Sequence, residues 1–551
     1  MNLLSDFLTN TEFSTYEEFK SLKLNVPKDF NFGYDIVDKY ANTVPDKRAL
    51  VWCNSDGDEK IITFGEMSRL SNKLANLMLS QGLKCGDYVM SMLNRRWEYW
   101  VLAVACHKTG IVLIPATHLL TAKDIIYRMQ SANVKMLFAT TELDVVEHTI
   151  LALPKCDSVK KCYFTLPTEG FETISEAMEK QSEELDCPRP DSNGAMLCYF
   201  TSGTTGQPKM VEHNFYYPIG HIVTARYWQK VVDDGLHFTM AETGWAKASW
   251  GKIYGQWISG TAIFAYDYNG RFTPTDILPL IEKYQITTFC APPTIYRFLV
   301  KEDLSCYDFS SLSHCSTAGE ALNPEIFKQF YEATGQKIYE GFGQTESTIL
   351  LGSFYFEEPV IGSLGKPSPI YDIELIDDNE EIVPEGTEGE IAILNSTVYC
   401  GLVSSYKGDE ERTKLLRGGK YYHTGDLAVK DSNGYFWFVG RKDDIIKSSG
   451  YRIGPFEVES ALMEHPSVLE CAITGAPDPI RGQVVKATIV LAKGYTPSDE
   501  LIKDLQTHVK NLTAPYKYPR IIEFVDELPK TTSGKIKRVD IRKKDNEKKS
   551  D

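Results

Sequence analysis

The chain of 551 residues is too long for a single hydrophobic core, so two or more domains are expected. Hydrophobic residues at 42% and charged residues at 24% are globular values and exclude a disordered or fibrous protein. A formal net charge of -16 repels nucleic acid and anionic lipid, and the basic run over 535–549 reads as a solvated tail.

The N-terminal stretch MNLLSDFLTNTEF lacks a cationic segment followed by an apolar run, so it does not read as a secretory signal. From about 60 to 300, helix-like and strand-like segments alternate, as an α/β domain requires. ITFGEMSRLSNKLANLMLSQGL has helical spacing and stops at Gly82, while YVMSML and GIVLIPA suit buried parallel strands. The most apolar segment, 99–116, is interrupted by HKTG and predicts helix, turn and buried strand rather than a membrane span. TPTDILPLIEKYQITTFCAPP predicts a helix opened by a Thr-Asp cap, followed by a strand. Over 361–440 the pattern turns to alternating residues punctuated by Gly, Pro and Asn-Gly, the mark of antiparallel hairpins. After GRKDDIIKSSGYRIGP a helix (FEVESALMEHP) and two strands (CAITGA, VVKATIVLA) predict a small α+β domain, with the boundary at Gly440 to Asp443. The twelve cysteines, from Cys53 to Cys471, contain no CxxC pair, which predicts reduced thiols in a cytoplasmic protein.

The stretch TSGTTGQPK at 201–209 leaves a predicted strand for glycines, four hydroxyls and a lysine, residue types that hold phosphate. A nucleotidase P-loop needs G-x-x-x-x-G-K followed by Ser or Thr. Here Gly203 and Gly206 stand too close, Pro208 precedes Lys209, and Met210 takes the place of the metal-binding hydroxyl. The P-loop reading fails. What remains is a turn rich in backbone N–H groups, with Thr201, Ser202, Thr204, Thr205 and one cation, suited to a polyphosphate that departs as pyrophosphate.

This loop resembles the signature of the adenylate-forming superfamily, which includes acyl-CoA synthetases, luciferases and peptide-synthetase adenylation domains. Five further segments match in order: TAGE (317–320), YEGFGQTE (339–346), YYHTGDL (421–427), GRKDDIIKSSGYRIGP (440–455) and LPKTTSGKIKR (528–538). The resemblance implies an α/β architecture with a large N-terminal adenylation domain over 1–440, itself made of α/β subdomains and an antiparallel β subdomain. A small mobile α+β C-terminal domain follows over 441–551, hinged at Asp443.

It also implies the chemistry. A carboxylic acid attacks the α-phosphate of ATP to give an acyl-adenylate and pyrophosphate, and the thiol of coenzyme A then takes the acyl group. In the family pattern Lys535 bridges carboxylate and phosphate; its plainer reading is a surface lysine at the start of the basic tail. Glu346 holds Mg2+ and Thr345 hydrogen-bonds the α-phosphate. Asp426 accepts the ribose hydroxyls beside Arg441, although Asp426 also suits a hairpin turn. Gly319 and Glu320, with Glu340, Gly341, Phe342, Gly343 and Gln344, belong to the segments that enclose adenine.

The implied swing about Asp443 withdraws Lys535 and presents Lys447, Ser449, Gly450, Tyr451 and Arg452, with Lys447 and Arg452 meeting the adenylate. Gly450, lacking a Cβ, lets pantetheine pass. NLTAPYKYPRIIEF and APDPIRGQVVKA resemble the medium-chain acyl-CoA synthetase branch, which puts Arg481, Lys510, Tyr518 and Arg520 at the phosphates and adenine of CoA. Each of these four also suits an ordinary solvated strand end.

Acetate-restricted relatives carry bulky aromatics before Gln-Thr-Glu. Phe342-Gly343 therefore implies a pocket floor open beyond two carbons, and Gly343→Trp would move preference towards acetate or propionate. Trp245 and Trp250 of ETGWAKASW lie in the segment that lines the acyl pocket, where they either narrow it or belong to the core. The expected acid is short, branched or medium-chain and larger than acetate, with an aromatic acid as a further option, handled by a monomer or homodimer with no nucleic-acid partner. Three alternatives stay open: a luciferase-like oxygenase, a ligase loading a carrier protein, and a non-catalytic adenylate or acyl-CoA binding protein.

Overall fold

The structure is a computed structural model that describes residues 1–201, 208–268, 270, 272–320, 322–395, 400–449, 451–530 and 535–547. The predicted first long helix forms as Phe64–Ser80, with the Thr63 hydroxyl accepting from the Glu66 N–H and Met67, Leu74 and Met78 turned inward. The 99–116 run gives the helix Glu98–Thr109, a left-handed Gly110 and the buried strand Val112–Pro115, as its interruption predicts. Thr273 stands at the N-cap of Pro274–Lys283, but its side chain makes no capping bond there, so the expected Thr-Asp cap is corrected.

Two large sheets build the first domain. In the eight-stranded sheet, Ala195–Thr201, Val112–Pro115, Tyr88–Met92, Met136–Ala139, Lys161–Phe164 and Glu172–Thr173 run parallel, and Lys209–Asn214 and Ser405–Lys407 close one edge antiparallel. In the nine-stranded sheet, the parallel run passes from Ile338–Phe342 through His314–Ala318, Thr288–Cys290, Leu236–Thr239 and Ala262–Asp267 to Arg48–Asn54. Strands covered on both faces read as unbroken apolar runs, which is why 88–93 and 110–116 were legible as strands. Helices between the sheets bury Trp100, Trp228 and Trp257 completely. In sheets of this kind ligands bind beyond the carboxyl ends of the strands, which here are Thr201, Ala318 and Phe342.

The hairpin texture over 361–440 forms a four-stranded antiparallel sheet, Ile373–Ile376, Glu388–Leu394, Tyr421–Lys430 and Phe436–Arg441. Only 442–445 separates its last strand from Ile446–Ser448, the start of a five-stranded sheet completed by Tyr451–Ile453, Val468–Asp478, Gly482–Leu491 and Ile521–Phe524. Helices Pro455–Met463 and Asp499–Leu512 cover that sheet around a core of its own, with Val458, Leu462, Ile473, Leu505 and Val509 buried. All twelve cysteines are free thiols. Among the described residues no helix is long and apolar enough to cross a membrane.

Candidate active site

Ala195–Thr201 and Lys209–Asn214 pair antiparallel, so Thr201 and Lys209 face each other where the phosphate-type sequence begins and ends. Ser202, Gly203, Thr204, Thr205 and Gly206 lie outside the described residues. Burial, with the nearby Arg412 cation, holds the Lys209 ammonium below its ordinary pKa, and the Glu346 carboxylate works in the opposite sense. A half-buried cation of this kind is stabilised by any anion placed beside it.

The turn after Ile338–Phe342 carries the next group. Tyr406 Oη donates to Glu346 Oε1 at 3.3 Å, and burial raises the Glu346 carboxyl against the pull of Lys209 and Arg441. The Thr345 carbonyl accepts from Nε2 of buried His213 at 2.8 Å; desolvation pushes that imidazole down to about 4, so it is a neutral donor. Gln344 Nε2 donates to the Thr424 carbonyl at 2.7 Å and also to Asp426, while Tyr422 Oη donates to Gln344 Oε1.

Asp426 is 4% exposed and sits within the strand Tyr421–Lys430 opposite Arg441, whose Nη1 approaches Oδ2 at 3.2 Å; the hairpin-turn alternative for Asp426 therefore falls. Glu340 is buried, accepts from the Leu322 N–H at 3.3 Å, and is pushed by desolvation up to about 8. Glu320 is exposed and accepts from Thr294 Oγ1 at 3.0 Å, and Gly319 precedes it with φ 104°. A Cβ on Gly341 would meet the Trp228 indole at 2.5 Å, so the strand packs there without room for a side chain.

Lys535 lies within electrostatic reach of both Asp426 and Lys247. Lys247 was not singled out by the sequence reading. It opens the short helix Lys247–Gly251 and donates from Nζ to the Ala318 carbonyl at 2.8 Å, at the end of the strand leading to Gly319. Burial lowers its pKa, and the Lys535 cation adds to that. Two ammonium groups within electrostatic reach of each other, beside an Asp–Arg pair, can stabilise an anionic group placed among them. The one sequence signal was a lysine inside the otherwise apolar and small run WAKASW.

The open-floor expectation for Gly343 needs correction. A Cβ at Gly343 would stand 2.4 Å from Trp250 Cη2 and 2.7 Å from the Thr348 carbonyl oxygen. The volume the glycine leaves is thus filled by the buried Trp250 indole, and Gly343→Trp would collide with that ring rather than simply shorten a pocket. Of the two alternatives, Trp250 both packs in the core and abuts Gly343, whereas Trp245 is half-buried in the turn before the helix.

The C-terminal residues form a separate group. Arg452 pairs through Nε with Glu388 Oε1 at 2.9 Å, and Lys447 is exposed opposite it on the hairpin. The structure therefore does not bring Lys447 or Arg452 to the Thr345–Glu346 turn; Lys535 faces the site instead. Ser449 has φ 50° and accepts from Arg481 Nη1 at 3.2 Å, and Gly450 lies outside the described residues. Tyr451 stacks on Tyr516 at 4.1 Å, both exposed, and Tyr518 is flanked by Lys510 Nζ at 4.0 Å and bonded from Arg520 Nη1 at 2.7 Å. Asp443 is exposed and lies 3.5 Å from Arg441 Nε.

Comparison with known proteins agrees with this geometry. Residues 37–403 match the AMP-binding enzyme family and residues 457–535 match the AMP-binding enzyme C-terminal domain. The chain is 43% identical to the mitochondrial acyl-coenzyme A synthetase ACSM3 of Mus musculus, over 98% of this chain and 96% of that protein. It is 44% identical to the mitochondrial ACSM4 of the same species, over 95% and 92%. The fold matches the anthranilate CoA ligase AuaEII, solved in complex with anthranoyl-AMP, with a TM-score of 0.86 at 28% identity, covering 95% of this chain and 99% of that one. The chain belongs to the AMP-binding enzyme family. Within it, the chain is an AMP-forming acyl-CoA synthetase that uses ATP and coenzyme A. The cytoplasmic expectation is overturned, because these relatives are mitochondrial proteins; the absence of a secretory pattern and the reduced cysteines do not distinguish the two compartments.

Proposed function

We propose that this enzyme activates a carboxylic acid larger than acetate, of short, branched or medium chain length, and that one cleft serves both half-reactions. The observation that carries the reading is the convergence of Lys535, Lys247 and the Asp426–Arg441 pair beside the Thr345–Glu346 turn. Adenylation builds negative charge on the α-phosphate oxygens, and preorganised cations and N–H donors lower that barrier. Asp426 receives the ribose hydroxyls, the 340–344 segment and Gly319–Glu320 enclose the adenine, and Lys209 faces the departing pyrophosphate. Among the described residues no cluster of three metal-ligating side chains exists. A Mg2+ ion would rest on the Glu346 carboxylate, within reach of Lys209, and on the phosphates, which suits an ion that keeps few protein ligands. Its chemistry would be to neutralise charge on the triphosphate.

The C-terminal domain, 441–551, then turns about Asp443. Arg452 leaves Glu388, and Ser449, Gly450 and Tyr451 line the approach of the thiol. Lys510 and Arg520, both at the Tyr518 ring, together with Arg481 beside Ser449, receive the nucleotide end of CoA. The exposed Tyr451–Tyr516 stack adds an aromatic surface next to them.

Lys247 is assigned to the carboxylate of the acid. A charge-assisted hydrogen bond is worth roughly 1.5–3 kcal/mol, so Lys247→Met is expected to raise KM for the acid about 10- to 100-fold while KM for ATP stays within about twofold. Initial-rate kinetics with each substrate varied in turn checks this.

The acid itself is read with pyrophosphate exchange across a series of straight-chain, branched and aromatic carboxylates, in wild type and Trp250→Ala. Each added buried methylene contributes about 0.8 kcal/mol, so removing the indole should lengthen the preferred chain and favour it about fourfold per extra methylene. Acetate as the best wild-type substrate would refute the size class, and an unchanged profile in Trp250→Ala would remove the indole from the pocket wall.

A further inference from the structure

We propose that His213 is a positioning residue for adenylation: from the strand that leaves the phosphate-type loop, it holds the Thr345 carbonyl and so fixes how Thr345 and Glu346 face the phosphates. This rests on the reading of that turn given above. Three contacts pin the segment. Ser347 Oγ accepts from the Gln344 N–H at 3.1 Å, the Val403 N–H donates to the Glu346 carbonyl at 2.7 Å, and His213 Nε2 donates to the Thr345 carbonyl at 2.8 Å. The first two come from the turn itself and a distant backbone; His213 supplies the side-chain contact from the strand that begins at Lys209. One residue thus ties the two segments that meet the triphosphate.

The ring cannot easily turn away. It is fully buried and stacks on Tyr217 with centroids 3.8 Å apart and planes 25° apart, and Tyr217 meets His221 edge-on at 4.6 Å. His213 Nδ1 has no partner, so the proton belongs on Nε2, where the carbonyl takes it. Buried His107 and His221 also leave one nitrogen without a partner, so what sets His213 apart is its partner, the carbonyl that precedes Glu346. A buried carbonyl left without its donor relaxes towards another, and the misplacement falls on the atoms that contact ATP.

The test uses the full-length enzyme with three variants. His213→Phe keeps the ring for stacking and removes the donor; His213→Gln places an amide N–H near the position of Nε2; His213→Asn is too short. In pyrophosphate exchange, His213→Phe and His213→Asn are expected to raise KM for ATP about tenfold or more, with KM for the acid within about twofold. His213→Gln should return KM for ATP to within about threefold of wild type. Thioester formation from a ready-made acyl-adenylate and CoA should change less than about threefold in all three. Equal losses in ATP, acid and thioester steps, identical behaviour of the Gln and Asn variants, or unchanged kinetics would overturn the proposal. If His213→Phe does not fold, the Gln and Asn pair decides alone. Failure of the wider reading of the turn is separable, because Glu346→Gln would then leave KM for ATP unchanged.

Discussion

Lys535→Ala is expected to lower ATP–pyrophosphate exchange about 10²- to 10³-fold while thioester formation from supplied acyl-adenylate stays within about tenfold of wild type. The ammonium lies near Asp426 and Lys247, where the carboxylate and the α-phosphate would meet. The C-terminal helix has anchors of its own. Arg538 is held by Glu459 at 2.7 and 2.8 Å, and Arg542 by Asp444 at 2.6 Å, so the helix Arg538–Glu547 stays tied to the C-terminal domain without Lys535. A stopped assay that follows the two half-reactions separately reads the split. Equal losses in both would reduce Lys535 to a structural residue. Loss of its charge also relieves Lys247, so the pH dependence of residual acid binding should shift upward with the ammonium's recovered basicity.

Asp443→Pro should produce the reverse pattern. Exchange is expected to stay within about fivefold of wild type, while acyl-CoA formation falls about 10²-fold. The link over 442–445 is held by the Lys442 N–H on the Gly425 carbonyl at 2.9 Å and the Asp444 N–H on the Arg441 carbonyl at 3.0 Å, and proline at 443 removes neither bond. It does fix φ at 443 and restrict Lys442, which strains the Arg441–Asp444 turn locally and limits the rotation available to the link. The orientation so retained is the one with Lys535 facing Asp426 and Arg452 on Glu388. Quenched-flow measurement of adenylate build-up followed by its slow transfer to CoA distinguishes this from a folding defect; a loss confined to the exchange step would contradict it.

Much of the fold was legible because its signals are local. Apolar runs such as 88–93 and the interruption at 107–110 determine strand and helix through burial and backbone conformation, with little help from distant residues. The family was legible as well, since glycines, hydroxyls and a lysine at fixed spacing leave few other uses. What escaped was tertiary. Gly343 reads as an opening until the Trp250 ring, 93 positions earlier in the chain, is seen against it. Lys247 looks like one more charge on a helix until the Ala318 carbonyl and Lys535 come round from other elements. His213 carries no signal in MVEHNF, because its partner is the Thr345 backbone and any residue type presents a carbonyl. The Thr273 cap failed for the opposite reason: its residue type was right, yet the side chain makes no capping bond in the folded chain.

The two-step scheme is tested most directly by the fate of the carboxylate oxygen. An acid labelled with 18O in its carboxyl group is turned over with ATP, Mg2+ and CoA, and the nucleotide product is weighed. Attack of the carboxylate on the α-phosphate, followed by thiol attack on the acyl carbon, predicts AMP carrying one labelled oxygen and unlabelled pyrophosphate. Unlabelled AMP, or ADP with labelled phosphate, would contradict it.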